Sequence, residues 1–423
     1  MSAYQSPSVQ PDQPTGSSPL PEIGQTLEAL ACEGARRMIE RALAAEIDAY
    51  LGRPRYGRRA GRVGYRNGTG RCRHIGIGSW SLAVRPPRVS DVPPSEPPFR
   101  SRILPFRNYW SRETQALFAR LYLEGLSSGD FEPAFRSLVG ERAPLSPNTV
   151  LRFKREWQAD YETWRRRRLV DRYAYIWADG IYLDAGLEPE KSCVLVVVGA
   201  REDGVKELLA LELGYRESQQ SWAELLRDLR ERGLTPPRLA IGDGALGLWA
   251  ALRDVFPETL HQRCWNHRVI NLTDKLPDRL APEARRRLRR IYQATSRAGA
   301  EAARDELAAW LRRLDQVAAA ATLERDWPDF VRYFEFPIEH WRHLRTSNPV
   351  ESIFAGVRLR TRVAKRSRRR DNTLYLVFKI IERLSERWQP LAGRQLVDLV
   401  VAGARFEDGI LVEAPPGEEV PAA

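Results

Sequence analysis

The chain is predicted to be an α/β protein, with a mixed sheet preceded by a mainly helical region, on three observations. Strand-length apolar or alternating runs recur between residues 173 and 265, with two helical patterns between them. Residues 267–330 are helical in pattern and charged, without strand-like alternation. Before residue 170, apolar spacings of three and four and helix-cap signals dominate.

In chain order, residues 1–26 hold five prolines and little apolar periodicity, and read as a flexible tail. Leu27, Leu30, Ala31, Met38, Leu43, Ile47 and Leu51 have helical spacing. Between Asp48 and Asp91 there is no acid but ten arginines, among them Arg53, Arg55, Arg58, Arg59, Arg62 and Arg66, interleaved with glycines, Tyr56 and Tyr65. Such a run can be a solvated face, but like charges without local counter-charge repel unless a polyanion neutralises them. Trp80–Val84 alternates as a short strand, and Pro93–Pro98 holds four prolines and reads as a linker.

Helices are expected over 113–124, ended by Gly125, and over about 130–138. A third starts at Ser146-Pro147, a cap followed by proline at the first helical position, and carries Arg152, Lys154, Arg155 and Arg165–Arg168. Short helix, turn and basic helix suggest a helix-turn-helix-like reader, and a three-helix bundle with a charged face fits the pattern equally well.

From Tyr173 the period shortens to that of strands. Tyr173–Ala178 leads to Asp179-Gly180, and Ser192–Val198 is an almost unbroken apolar run, as in a strand buried on both faces. Asp203-Gly204 marks a hairpin into Lys206–Leu213. A helix over 217–232, a strand over 238–242 ending at Asp243-Gly244, a helix to about Val255 and a strand over 260–265 follow. Trp222 and Trp249 fall on amphipathic helices and read as core. His340 and His343 read as solvent-facing imidazoles beside a packed Trp341. A helix begins near Pro349, eight of the thirteen residues from Arg358 to Arg370 are basic, and Leu374–Trp388 is a closing amphipathic helix.

Lys plus Arg number 67 against 55 Asp plus Glu among 423 residues, a net charge of +12 that predicts attraction to a polyanion, most often nucleic acid. No apolar run approaches the ~20 residues of a membrane span, and the first twenty residues lack a signal-peptide pattern. Four scattered cysteines, Cys32, Cys72, Cys193 and Cys264, argue against disulfides and for a reducing cytoplasm.

Three acids stand out by position: Asp179, Asp243 and Glu351. Each has a plain explanation: a hairpin turn, a helix cap, and a capping box begun by Asn348. Together they suggest more, because strand ends on one edge of an α/β sheet converge, and three carboxylates there would repel without cations between them. Oxygen-only ligation suits Mg²⁺ or Mn²⁺, and two such ions can clamp the attacking and leaving oxygens of a phosphodiester displacement.

Trp177-Ala178-Asp179-Gly180, Gly242-Asp243-Gly244, Gln262–His267 and Arg345–Ser352, with Leu51–Tyr56 and Leu123–Ser127 upstream, resemble the signatures of the bacterial Mutator-type insertion-sequence transposases. The resemblance runs from about residue 27 to 400 and implies the DDE class and a ribonuclease-H-like catalytic fold. It implies Asp179, Asp243 and Glu351 as the metal-binding catalytic triad, with an all-helical insertion between the last two. Arg358 would lie near substrate DNA. Cys264 and His267 match the family's C-x-x-H element and are expected to support the active site. A zinc site there would want four ligands, and Cys72 with His74 is the only other close Cys/His pair.

The expected division is a tail over 1–26 and an N-terminal DNA-binding region over 27–170. The catalytic domain follows over 171–266, a helical insertion over 267–340, the catalytic C-terminal part over 341–400 and a tail over 401–423. The expected function is a DNA transposase that binds terminal inverted repeats, cleaves at the element ends and joins 3′-hydroxyls to target DNA, using two Mg²⁺ or Mn²⁺ ions. Its partners would be double-stranded DNA and at least a second copy of itself, with no membrane and no small-molecule substrate. The phosphate contacts would come from the arginines of the basic arm with Arg152, Lys154, Arg155, Arg360, Arg362, Lys365 and Arg366. A structure-specific nuclease on the same fold and a non-catalytic DNA-binding regulator remain open alternatives.

Overall fold

The computed structural model describes residues 26–57, 64–77, 80–104, 147–183, 192–214, 216–244, 246–363 and 370–414. These fall into two compact units, up to residue 104 and from residue 147 onward.

In the first unit, Leu43, Ile47 and Leu51 recur every four residues and so share one face of helix α1 (Thr26–Leu51). That face packs with Ile75, Leu82, Val84 and Leu104. The strand expected at Trp80–Val84 forms (β3), and three more accompany it: β1 (Tyr65–Thr69), β2 (Arg73–Ile77) and β4 (Pro87–Ser90). β1 pairs antiparallel with β4, and β2 with β3. Glycine and arginine interrupt apolar alternation in β1, β2 and β4, so these strands carry little sequence signal.

The second unit opens with α2 (Pro147–Arg165), starting at the proline the sequence marks. The sequence groups it with the N-terminal region, yet it packs within this unit: Tyr161 is buried against Tyr375 and Phe378, and its hydroxyl donates to the Leu211 carbonyl at 2.8 Å. The helices expected over 113–138 lie outside the described residues.

The sheet comprises β5 (Tyr173–Leu183), β6 (Ser192–Arg201), β7 (Lys206–Gly214), β8 (Leu239–Gly242) and β9 (Leu260–Arg263), in the order β7-β6-β5-β8-β9. β5, β6 and β7 run antiparallel, whereas β8 lies parallel to β5 and β9 parallel to β8. Helices α3 (Gln219–Glu231) and α4 (Leu246–Val255) supply the long connections that parallel strands require.

Alternation assigns the two faces. Ile176 and Ala178 of β5, with Cys193, Leu195 and Val197 of β6, form one core with Trp222, Leu226, Leu248 and Trp249 from α3 and α4. Both tryptophans are core, as expected. Tyr175 and Trp177 face the other way, toward Phe336, His340 and the His343 carbonyl.

Residues 267–340 contain no strand: α5 (Trp265–Thr273), α6 (Ala281–Tyr292), α7 (Arg297–Arg313) and α8 (Val317–Glu324) are followed by three short 3-10 turns. The chain then returns to the sheet through α9 (Trp341–Leu344), α10 (Asn348–Val363) and α11 (Arg370–Ser385); α10 packs on β5 and β6, and α11 on β7 and α2. Residues 401–414, read from sequence as tail, instead complete α12 (Val397–Ala402) and form the hairpin β10 (Arg405–Glu407) and β11 (Ile410–Glu413). Phe406 is buried there, and Gly409 exchanges backbone hydrogen bonds with Phe334 and Ile338.

Candidate active site

The parallel pairing of β5 with β8 sets the site. Trp177 lies opposite Ile241, so two residues on Asp179 and Asp243 reach the same level. Asp243 follows the last residue of β8, as the sequence predicts. Asp179 does not end its strand, and Asp179-Gly180 is not a turn: β5 continues beside β6 to the pair Leu183–Ser192. The hairpin signal is overridden by a partner strand that extends four residues further.

Asp179 is only 8% exposed, and one carboxylate oxygen accepts from the Gly180 N–H at 2.8 Å. Burial, then the neighbouring charge of Asp243, push its carboxyl up to about 7. A third acid lies beside them. Single carboxylate oxygens of Asp179, Glu217 and Asp243 all fall within 4.8 Å of one another. Burial and Asp243 raise Glu217 as well, against a hydrogen bond from Tyr182.

In the sequence Glu217 stands only as the first residue of an expected helix. It lies just before Ser218, which caps α3 by accepting from the Ser221 N–H. Two glycines make its position possible. By alternation Gly180 belongs to the face of Ile176 and Ala178, and a Cβ there would stand 2.5 Å from a carboxylate oxygen of Glu217. A Cβ on Gly247 would stand 2.5 Å from the Glu217 carbonyl, so α4 approaches this segment closely only because it is bare there. The available signal was an acid ahead of a helix cap at the sheet edge that already carries two aspartates.

Glu351 belongs to a neighbouring cluster, with Cys264 and His267. One of its oxygens accepts from the Ser347 hydroxyl at 2.5 Å and lies 3.7 Å from Cys264 Sγ and 3.6 Å from His267 Nδ1. The capping box expected from Asn348 is displaced by one residue. Asn348 is the first helical residue and accepts from Asn266, whereas Ser347 precedes the helix and its carbonyl receives the Val350 and Glu351 N–H groups. An electrostatic interaction with His267 opposes the upward shifts of both Asp179 and Glu217, so the two clusters are electrostatic neighbours.

Cys264 is buried and accepts from the Ser347 N–H, and burial pushes its thiol up to about 11. The rest of Gln262–His267 is a joint. Gln262 bonds Phe330 and Tyr333, Arg263 pairs with Asp326, and the Trp265 N–H groups reach the Arg345 and Phe330 carbonyls. All four cysteines are free thiols.

His340 and His343 are not solvent-facing. His340 is fully buried between the Tyr175 hydroxyl and the Gly393 carbonyl, and His343 accepts from the Ala392 N–H. Arg358 is exposed on α10, with its guanidinium over Phe354. Arg360 and Arg362 lie further along α10, and Arg152, Lys154 and the exposed Arg155 on α2. Lys365 and Arg366 lie outside the described residues.

In the first unit, α1 and the small sheets enclose a groove of about 980 Å³ lined by Arg55, Arg85, Arg88, Tyr56 and Tyr65. Tyr56 is 90% exposed at a left-handed φ of 71°, with the Arg55 guanidinium over its ring. Arg53 is committed internally to the Gly57 and Gly64 carbonyls, and Arg66 pairs with Asp48. Arg58, Arg59 and Arg62 lie outside the described residues. Among the described residues no helix is long and apolar enough to cross a membrane.

Comparison with known proteins gives concordant matches. The family model described as transposase, Mutator family, matches residues 21–390. The transposase for insertion sequence element IS6120 of Mycolicibacterium smegmatis is 45% identical over 296 residues, covering 70% of this chain and 91% of that protein. The transposase for IST2 of Acidithiobacillus ferrooxidans is 40% identical, over 66% of this chain and 95% of the relative. That for ISRM5 of Rhizobium meliloti is 28% identical, over 84% and 88%.

Proposed function

The chain belongs to the Mutator family of transposases, and we propose that it binds the terminal inverted repeats of its own insertion sequence, cleaves at the element ends and joins the 3′-hydroxyls to target DNA. One observation carries the reading: Asp179 on β5 and Asp243, just past the end of the adjacent parallel β8, stand level at the edge where α/β sheets gather their sites. The strand order, with the first three strands antiparallel and the last two parallel to the first, supports a ribonuclease-H-like fold.

The donor set fits a hard divalent cation, because Asp179 and Asp243 offer only oxygen and their repulsion is what such a cation relieves. Two Mg²⁺ or Mn²⁺ ions, held by Asp179 and Asp243 and by Glu351 when it joins them, would supply Lewis-acid neutralisation of the scissile phosphate and the exchanging oxygens. The chain's own part is orientation. Ser347, Cys264 and His267 hold Glu351 at the start of α10, and Arg358, two turns along the same helix, meets the DNA backbone. The basic groove of the first unit contributes phosphate contacts in recognition of the ends.

In a cleavage assay on end-bearing DNA with Mg²⁺, Asp179→Asn, Asp243→Asn and Glu351→Gln should each lose at least about a thousandfold in rate while end binding stays within about twofold. Retained cleavage in any of the three removes that residue from the catalytic set. Cleavage by the unaltered protein without joining to target DNA would turn the reading toward a nuclease.

A further inference from the structure

We propose that Glu217 is a third carboxylate ligand of the Asp179–Asp243 cation site, and that the DNA-free protein loads its first divalent ion on these three before Glu351 takes part. The inference rests on the transposase reading and gives it an order of assembly. Its basis is the division of the acids into two clusters. Oxygens of Asp179, Glu217 and Asp243 lie within 4.8 Å of one another, a spacing that one hard cation can bridge. Glu351 stands in the other cluster, with its carboxylate bonded to Ser347 and beside Cys264 and His267.

Glu217 reaches the site from the opposite layer to Glu351. Its carboxylate occupies the space a side chain at position 180 would fill, 2.5 Å from where a Cβ would stand. The backbone behind it is fixed by the Ser218 cap and by the close approach of Gly247. An acid placed there only to complement the α3 dipole would turn toward water; this one is half-buried against two other acids. Like charges are gathered in this way where a cation is to be bound. Glu351 must give up its bond from Ser347 before it can turn to the same ion.

The test is calorimetric titration of the full-length protein with Mn²⁺ at pH 8, without DNA. Glu217→Gln should weaken Mn²⁺ binding by about tenfold or more, whereas Glu351→Gln should change it by less than about threefold. Gly180→Ala, which keeps every carboxylate but crowds Glu217, should weaken binding in the same direction. Thermal melting provides a second readout: Mn²⁺ should raise the midpoint of the unaltered protein and raise that of Glu217→Gln much less. If Glu217→Gln melts early without metal, Glu217→Asp, which keeps the charge and shortens the reach, carries the same expectation. Affinity unchanged in Glu217→Gln, or lost equally in Glu351→Gln, overturns the proposal. Neither result touches the cleavage assay, and absence of cleavage with these affinities as expected would defeat the transposase reading alone.

Discussion

His340 and His343 show how single side chains brace the site without taking part in it. The Gly393 carbonyl can only accept, so His340 Nε2 carries the proton and Nδ1 accepts from Tyr175. Burial lowers the pKa of this imidazole, which favours the neutral ring. His343 receives the Ala392 N–H on Nε2, and burial, with the charges of Lys206 and Arg342, lowers it from 6.5 to about 4. An imidazole depressed in this way stabilises the fold in its neutral form. Its contribution is complete above pH 6.5 and is lost as the pH falls through that value toward 4. Discounted for partial exposure, this is about 1–2 kcal/mol. Urea denaturation between pH 7.5 and 4.5 should therefore show a steeper loss for the unaltered protein than for His343→Gln, whose amide oxygen still accepts from Ala392. Parallel curves would mean that His343 does not titrate in this range. The Trp177 indole donates to the His343 carbonyl at 3.0 Å, so protonation would also strain the link between β5 and the segment leading to Glu351.

The same logic governs the joint at Gln262–His267, where one short segment ties β9 and α5 to both the helical region and α10. Gln262 is fully buried, donates to the Phe330 and Arg263 carbonyls and accepts from the Tyr333 N–H. Replacing it with Met keeps the volume but strands the buried Tyr333 N–H, while the Phe330 carbonyl keeps its bond from the Trp265 indole. Gln262→Met should cost about 1–3 kcal/mol in chemical denaturation, because an unsatisfied buried N–H retains its full desolvation penalty. A loss below about 0.5 kcal/mol would show that the 3-10 turns relax to find other partners. Catalysis is expected to suffer too, since the Trp265 N–H bonds Arg345, only two residues before Ser347. A motif that reads as chemistry is thus mostly architecture, with His267 and Cys264 alone turned toward the acids.

Over the whole chain, the sheet was legible because its strands are buried on both faces: nearly unbroken apolar runs at Ser192–Val198 and Tyr173–Ala178 leave no helical alternative. The small strands of the first unit were not, since their arginines and glycines carry no period, and neither was the 401–414 hairpin, which is anchored by one phenylalanine. Asp179 and Asp243 could be picked out by strand position, but Glu217 could not, because its role depends on a gap left by Gly180 across the sheet. Charge is the property that spans both units: 67 basic residues against 55 acidic ones. In the groove of the first unit, Arg55, Arg85 and Arg88 are all exposed, unlike Arg53, which is spent on backbone carbonyls. Each exposed arginine that meets a phosphate should release about one counterion, so it steepens the dependence of log affinity on log salt by about one. Arg55→Ala with Arg88→Ala should make that slope shallower by about two for duplex DNA carrying the element ends, whereas Arg53→Ala should act mainly on thermal stability. Mn²⁺ affinity in the double variant should match the unaltered protein, because the groove and the carboxylates are built from different units. An unchanged salt slope would place the end-binding surface elsewhere, with the basic residues along α10 as the next to test.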